Sequence, residues 1–76
     1  MSKLQELRKS KNLSQSELAK ITNIKVRTIQ MYEQLESPIH SAGLDKLVPL
    51  ALALNCKISD ILEDEQIIKL CQELGI

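Results

Sequence analysis

Residues 13–32 read LSQSELAKITNIKVRTIQMY, and they constrain the fold more than any other stretch of the chain. Ser14 and Glu17, three residues apart, form a capping box that satisfies donors otherwise left unpaired at a helix start, so a helix is expected from Gln15. Leu18 and Ile21 are expected to give that helix its buried stripe. The pattern breaks at Thr22, Asn23 and Ile24, where Asn tolerates the left-handed conformation that a tight turn between helices demands. A second helix is expected from about Lys25 to Gln34, with Ile29 and Tyr32 on one face. Val26, Arg27, Gln30 and Met31 are left to the flanks and the exposed face, which makes that face the candidate for function.

The order and spacing of Leu13, Ser14, Gln15, Glu17, Leu18, Ala19, Ile24, Thr28, Ile29 and Glu33 resemble the helix-turn-helix of the phage-repressor-like (Cro/Xre) family of bacterial DNA-binding proteins. The resemblance runs from about residue 4 to residue 62, since residues 44–47 and 50–56 look like the family's fourth helix and residues 58–62 like its fifth. It implies an all-α, five-helix phage-repressor-like DNA-binding domain, carrying here an additional C-terminal amphipathic helix or helix extension. The expected division is a helix-turn-helix domain over 1–63, with its motif at about 14–34, and a possible dimerisation element over 64–76.

A chain of 76 residues is expected to be one domain. At such a length folding buries only roughly 60% of the surface the unfolded chain exposes, so stability is modest and dimerisation would add to it. Tyr32 is the sole aromatic residue, which leaves Leu, Ile, Val and Ala to build a small helical bundle. No apolar run is long enough for a membrane span and no signal peptide precedes Lys3, so the expected location is cytoplasmic. The formal net charge of zero conceals an asymmetry: residues 1–32 carry seven Lys or Arg against two acidic residues, and residues 33–76 carry three against eight. A basic half bearing the motif and an acidic half elsewhere suit a protein with one DNA-facing side.

Ahead of the motif, Ser2 is expected to cap a first helix with Gln5, while Leu4, Leu7 and the aliphatic stem of Lys11 define its packing face. The resemblance implies an ion pair between Arg8 and Glu33 that braces the bundle. Gln15 lies beside unpaired N–H groups at a helix start, which favour an anion, and in the resembling proteins this Gln and these amides clamp a DNA phosphate. Lys25 replaces the usual Ser or Thr cap and suits a phosphate, as does Thr28, which can instead bond back to its own helix. Val26, Arg27 and Met31 match the positions from which relatives read bases, with Gln30 nearby. Arg27 suits guanine, Gln30 adenine, and Val26 and Met31 a thymine methyl. An exposed apolar pair such as Val26 and Met31 equally suits contact with another protein.

The acidic loop 34–43 lacks the family's usual Gly, carries Glu36 in place of a basic residue and contains Pro38 and Gly43, with Ile39 and Ala42 as possible anchors. His40 has no ligand partners at metal-binding spacing, and no metal or other cofactor is expected. A fourth helix is expected over about 44–54, with Leu47, Leu50, Ala51 and Leu54 inward; Pro49 lies in its first turns or kinks it, and Asn55 ends it. Leu52 falls where relatives are polar, a hint of a dimer contact. In the tail, Ile67, Leu70, Cys71 and Leu74 form an amphipathic stripe that either folds back on its own domain or, the preferred expectation, pairs with a second copy. Cys56 and Cys71 have neither CxxC spacing nor a His partner and read as free thiols.

These features favour a sequence-specific double-stranded DNA-binding regulator of repressor type, acting as a homodimer on a two-fold operator, with no small-molecule ligand evident. The alternatives are a protein-interaction module of the same fold with weak DNA binding, or an antitoxin-type autoregulator. No nucleophile–base–acid set or glycine-rich phosphate loop points to an enzyme.

Overall fold

The computed structural model describes residues 2–76. Among them the elements run α1 (Lys3–Ser10), α2 (Gln15–Thr22), α3 (Val26–Glu33), a 3-10 turn (Ile39–Ser41), α4 (Leu44–Leu54), a second 3-10 turn (Ile58–Asp60) and α5 (Glu65–Leu74). The helix starts follow local chemistry. The Gln5 N–H donates to Ser2 Oγ at 3.0 Å. At α2 the box is complete, with the Glu17 N–H donating to Ser14 Oγ at 3.0 Å and the Ser14 N–H to Glu17 Oε1 at 2.8 Å. The Ser14 backbone N–H first, and then the Ser14 hydroxyl, hold the Glu17 carboxyl below the usual carboxylate range. Asp64 caps α5 by accepting from the Ile67 N–H at 3.1 Å.

Asn23 ends α2 and Asn55 ends α4, both in the left-handed conformation. Pro49 is the sixth residue of α4, so that helix lacks the N–H its Asp45 carbonyl would otherwise accept. The segment expected as the family's fifth helix is instead the 3-10 turn Ile58–Asp60, because Asp60 Oδ2 accepts from the Lys57 N–H at 2.9 Å and closes a three-residue loop. The fifth α-helix is therefore the C-terminal one.

Leu4, Leu18, Ile29, Leu50, Leu54, Ile61 and Leu62 form the fully buried centre, so every helix except α5 contributes to it. Helix α5 caps the bundle through Ile68, with Ile67 and Cys71 packed beside it. The Cα radius of gyration is 11.3 Å, and a compact chain of this length has about 11 Å, so α5 folds back rather than projecting. The tail is tied further by the Ser59 N–H, which donates to the Ile76 carbonyl at 3.3 Å.

Three expectations about faces are corrected. Ile21 is 60% exposed, since the buried face of α2 is Leu18, Ala19 and Thr22 and Ile21 lies roughly 100° round from its centre. Thr22 can sit inside because its hydroxyl donates to the Leu18 carbonyl at 2.7 Å. On α1 the stem of Lys11 is exposed, and Arg8 joins Leu4 in the packing face. On α5 the inward residue is Ile68, which leaves Leu70 and Leu74 of the expected stripe pointing outward.

Candidate nucleic-acid interface

Helices α2 and α3 meet through the turn at Asn23, and the Ile24 N–H donates to the Ala19 carbonyl at 3.2 Å. Ile24 and Ile29 are buried at this junction, which fixes α3 against the bundle by its inner face. Lys25 stands at the start of α3 with no side-chain cap bond, so its ammonium is exposed to solvent as the sequence implies.

The inner face of α3 ends in Glu33, whose side chain is 1% exposed. A carboxylate that deep must be neutralised by its neighbours. Arg8 Nε donates to Glu33 Oε2 at 2.6 Å and Arg8 Nη2 to Glu33 Oε1 at 3.0 Å, the two-pronged geometry that guanidinium and carboxylate favour. The third prong, Arg8 Nη1, donates to the Leu13 carbonyl at 2.7 Å, which ties α1 to the residue that precedes the α2 cap. The hydrogen bond to Glu33 raises the Arg8 guanidinium above its already high ordinary pKa. The ion pair implied by the resemblance is therefore present, and it joins the first helix to the third.

The same carboxylate orders a side chain of the outer surface. Gln15 Nε2 donates to Glu33 Oε1 at 2.9 Å, and Gln30 Nε2 donates to Gln15 Oε1 at 3.3 Å. A chain of hydrogen bonds thus runs from Arg8 through Glu33 and Gln15 to Gln30, from the interior to the edge of α3. Sequence reasoning missed it, because its members lie 15 to 25 residues apart. After this bonding Gln15 keeps one amide hydrogen, and Gln30 keeps its carbonyl oxygen and one amide hydrogen.

The other expected base-facing residues are not equivalent. Arg27 is exposed, and its Nη2 lies 3.4 Å from Glu36 Oε2. Met31 is half-buried, and Val26 is half-buried and packed against the core, so Val26 offers only part of its side chain outward. Thr28 is half-buried and makes no bond back to its helix, which leaves its hydroxyl available. In the loop, Ile39 is buried, Ala42 packs on the core and His40 is exposed.

The end of α3 carries the feature that the missing Gly signalled. Leu35 takes the left-handed conformation, φ 59°, that Gly normally supplies after a helix. The Leu35 N–H donates to the Tyr32 carbonyl at 3.2 Å and the Glu36 N–H to the Met31 carbonyl at 2.9 Å, the paired bonds of a Schellman ending.

Residues 4–61 match the family model described as helix-turn-helix, the Cro/C1-type, Xre-like group. The chain belongs to that family. Its members are DNA-binding regulators of transcription, and the capped α2, the Asn23 turn and the braced α3 are this helix-turn-helix protein's version of the motif. No curated protein and no solved structure matches the chain. No helix among the described residues is long and apolar enough to cross a membrane.

Proposed function

We propose that this helix-turn-helix protein is a sequence-specific, double-stranded DNA-binding regulator of repressor type, acting in the cytoplasm as a homodimer on a two-fold operator. The observation that carries the reading is the bracing of α3: its inner face is locked by a buried ion pair while its outer face keeps charged and polar groups in solvent. A rigid helix with a solvent-facing polar outer side suits entry into a major groove. In this reading Arg27, Gln30, Met31 and the outward part of Val26 meet base edges. Gln15, Lys25 and Thr28 hold phosphates, Gln15 with help from the amides at the start of α2. Gln30, with one acceptor and one donor left, can accept from the adenine N6–H and donate to N7 in the major groove.

The dimer is proposed to form on α4 together with the C-terminal segment 64–76. Leu44, Val48 and Leu52 are exposed at four-residue spacing on α4, and Leu52 is 76% exposed. Val48 and Leu52, with Ala51, Cys56, Ile58 and Ile76, also line a groove of about 280 Å³. An interface of ordinary size takes about 800 Å² from each partner. That is roughly one sixth of this protein's 4817 Å² surface. Burial pushes the Cys56 thiol pKa up, with Asp60 adding to the shift, so at neutral pH it lines this groove as a neutral group.

The decisive experiment is the affinity for a random-sequence duplex as a function of salt, with the protein's mass in solution measured at the same concentrations. A plot of log K against log[salt] with a slope of several ions per dimer supports the DNA reading. Affinity weaker than about 10⁻⁴ M even at low salt refutes it and favours a protein-interaction module. Arg27→Ala should relax discrimination at one base pair, whereas Gln15→Ala and Lys25→Ala should weaken binding to all sequences alike.

A further inference from the structure

We propose that Glu36 is an intramolecular competitor of DNA for Arg27: it holds the Arg27 guanidinium in the free protein, and Arg27 must leave it before meeting a phosphate or a base edge. The inference rests on the reading of α3 as the DNA-facing helix and adds to it a residue that touches no DNA group favourably.

The carboxylate stands beside Arg27 because the backbone puts it there. The Schellman ending fixes Leu35 and Glu36 to the last turn of α3, and the Ser37 N–H also reaches the Met31 carbonyl, at 3.4 Å. Among the described residues other than Gly, the left-handed conformation is otherwise taken only by Asn12, Asn23 and Asn55. A leucine in that conformation carries a steric cost that the three asparagines largely avoid. The strained residue is thus the one that brings the acidic side chain round to Arg27.

The pair is open to water, with Arg27 66% and Glu36 47% exposed, so it is easily exchanged. A surface pair of this kind shifts an equilibrium by roughly 1.5- to 5-fold. Random DNA offers Arg27 a phosphate, which replaces one single-point ionic contact by another while leaving the Glu36 carboxylate unpaired near the phosphate backbone. Guanine offers two acceptors to the guanidinium fork, a contact that discriminates between bases by about tenfold or more. The carboxylate therefore weakens binding wherever Arg27 must leave it, at guanine at least as much as at a phosphate, because the same pair of the free protein is given up in each complex.

The test compares wild type, Glu36→Gln, Arg27→Ala and the double variant, each titrated with a random-sequence duplex and with duplexes selected by the wild type from a randomised pool. Gln keeps the length of the side chain and the backbone ending and removes the charge. The proposal expects Glu36→Gln to bind random duplex up to about 5-fold more tightly per protomer, with a salt slope steeper by about 0.9 per protomer. The gain on selected duplexes is at least as large, so the ratio of selected to random affinity does not fall, and in the Arg27→Ala background the gain on both kinds of duplex shrinks to near unity. Unchanged binding by Glu36→Gln, with the wild type bound, overturns the proposal and leaves the DNA reading intact. An equal gain with or without Arg27 also overturns it, since that is general repulsion and not competition for the guanidinium. Absence of salt-dependent binding by all four proteins overturns the DNA reading, and the proposal with it.

Discussion

Replacing Arg8 by Met tests whether the buried carboxylate organises this bundle. The substitution keeps most of the side-chain volume and removes three donors: two to Glu33 and one to the Leu13 carbonyl. Glu33, 1% exposed, is then left with the neutral Gln15 amide as its remaining side-chain partner. An uncompensated charge of this kind costs about 3–5 kcal/mol. A chain of 76 residues has roughly 4–11 kcal/mol of stability in total, so Arg8→Met removes about a quarter of it or more. For a domain of this size each 1 kcal/mol moves the thermal midpoint by about 4–8 °C, and the expected drop is roughly 12–40 °C. Urea unfolding followed by helical circular dichroism measures the change directly. Arg8→Met combined with Glu33→Met should recover most of the loss, because the pair is replaced by apolar groups and no charge stays buried. A cost below about 1 kcal/mol for the single variant, or no recovery in the double, refutes the argument.

Leu35→Gly relieves a left-handed leucine that is exposed on the surface, and should stabilise the domain by about 1 kcal/mol, read as a higher thermal midpoint; a lower midpoint contradicts the strain assigned to that residue. Glu17 titrates below its ordinary value in the folded protein, so its contribution is present above about pH 4.5 and is lost as pH falls through the lower folded value. Glu17→Gln should therefore flatten the acid limb of a urea-midpoint profile, and an unaltered limb would show that the box carries no pH-dependent stability. Leu52→Glu places a charge at the centre of the proposed dimer face and should give a monomer by sedimentation at concentrations where the wild type is a dimer, with helical content unchanged. A wild type that stays monomeric, or a variant that stays dimeric, removes α4 from the interface.

The sequence by itself determined the features that depend on a few neighbouring residues. The Ser14 and Glu17 box, the Asn23 turn, the bounds of α4 and the Asn55 ending are legible because each rests on bonds spanning three or four residues, or on the φ preference of one side chain. The Arg8 and Glu33 pair was legible only through the family resemblance, since nothing local to either residue points to the other. Tertiary structure decided the rest. Which residues of a short amphipathic helix turn inward depends on where its neighbours lie, so Thr22 rather than Ile21, and Ile68 rather than Leu70, came to face the core. The link from Glu33 through Gln15 to Gln30 exists only because α2 and α3 cross at the angle set by the turn. The meeting of Arg27 with Glu36 depends on a leucine adopting a conformation that its own preference opposes, which packing and the Schellman bonds can impose and a sequence pattern cannot announce.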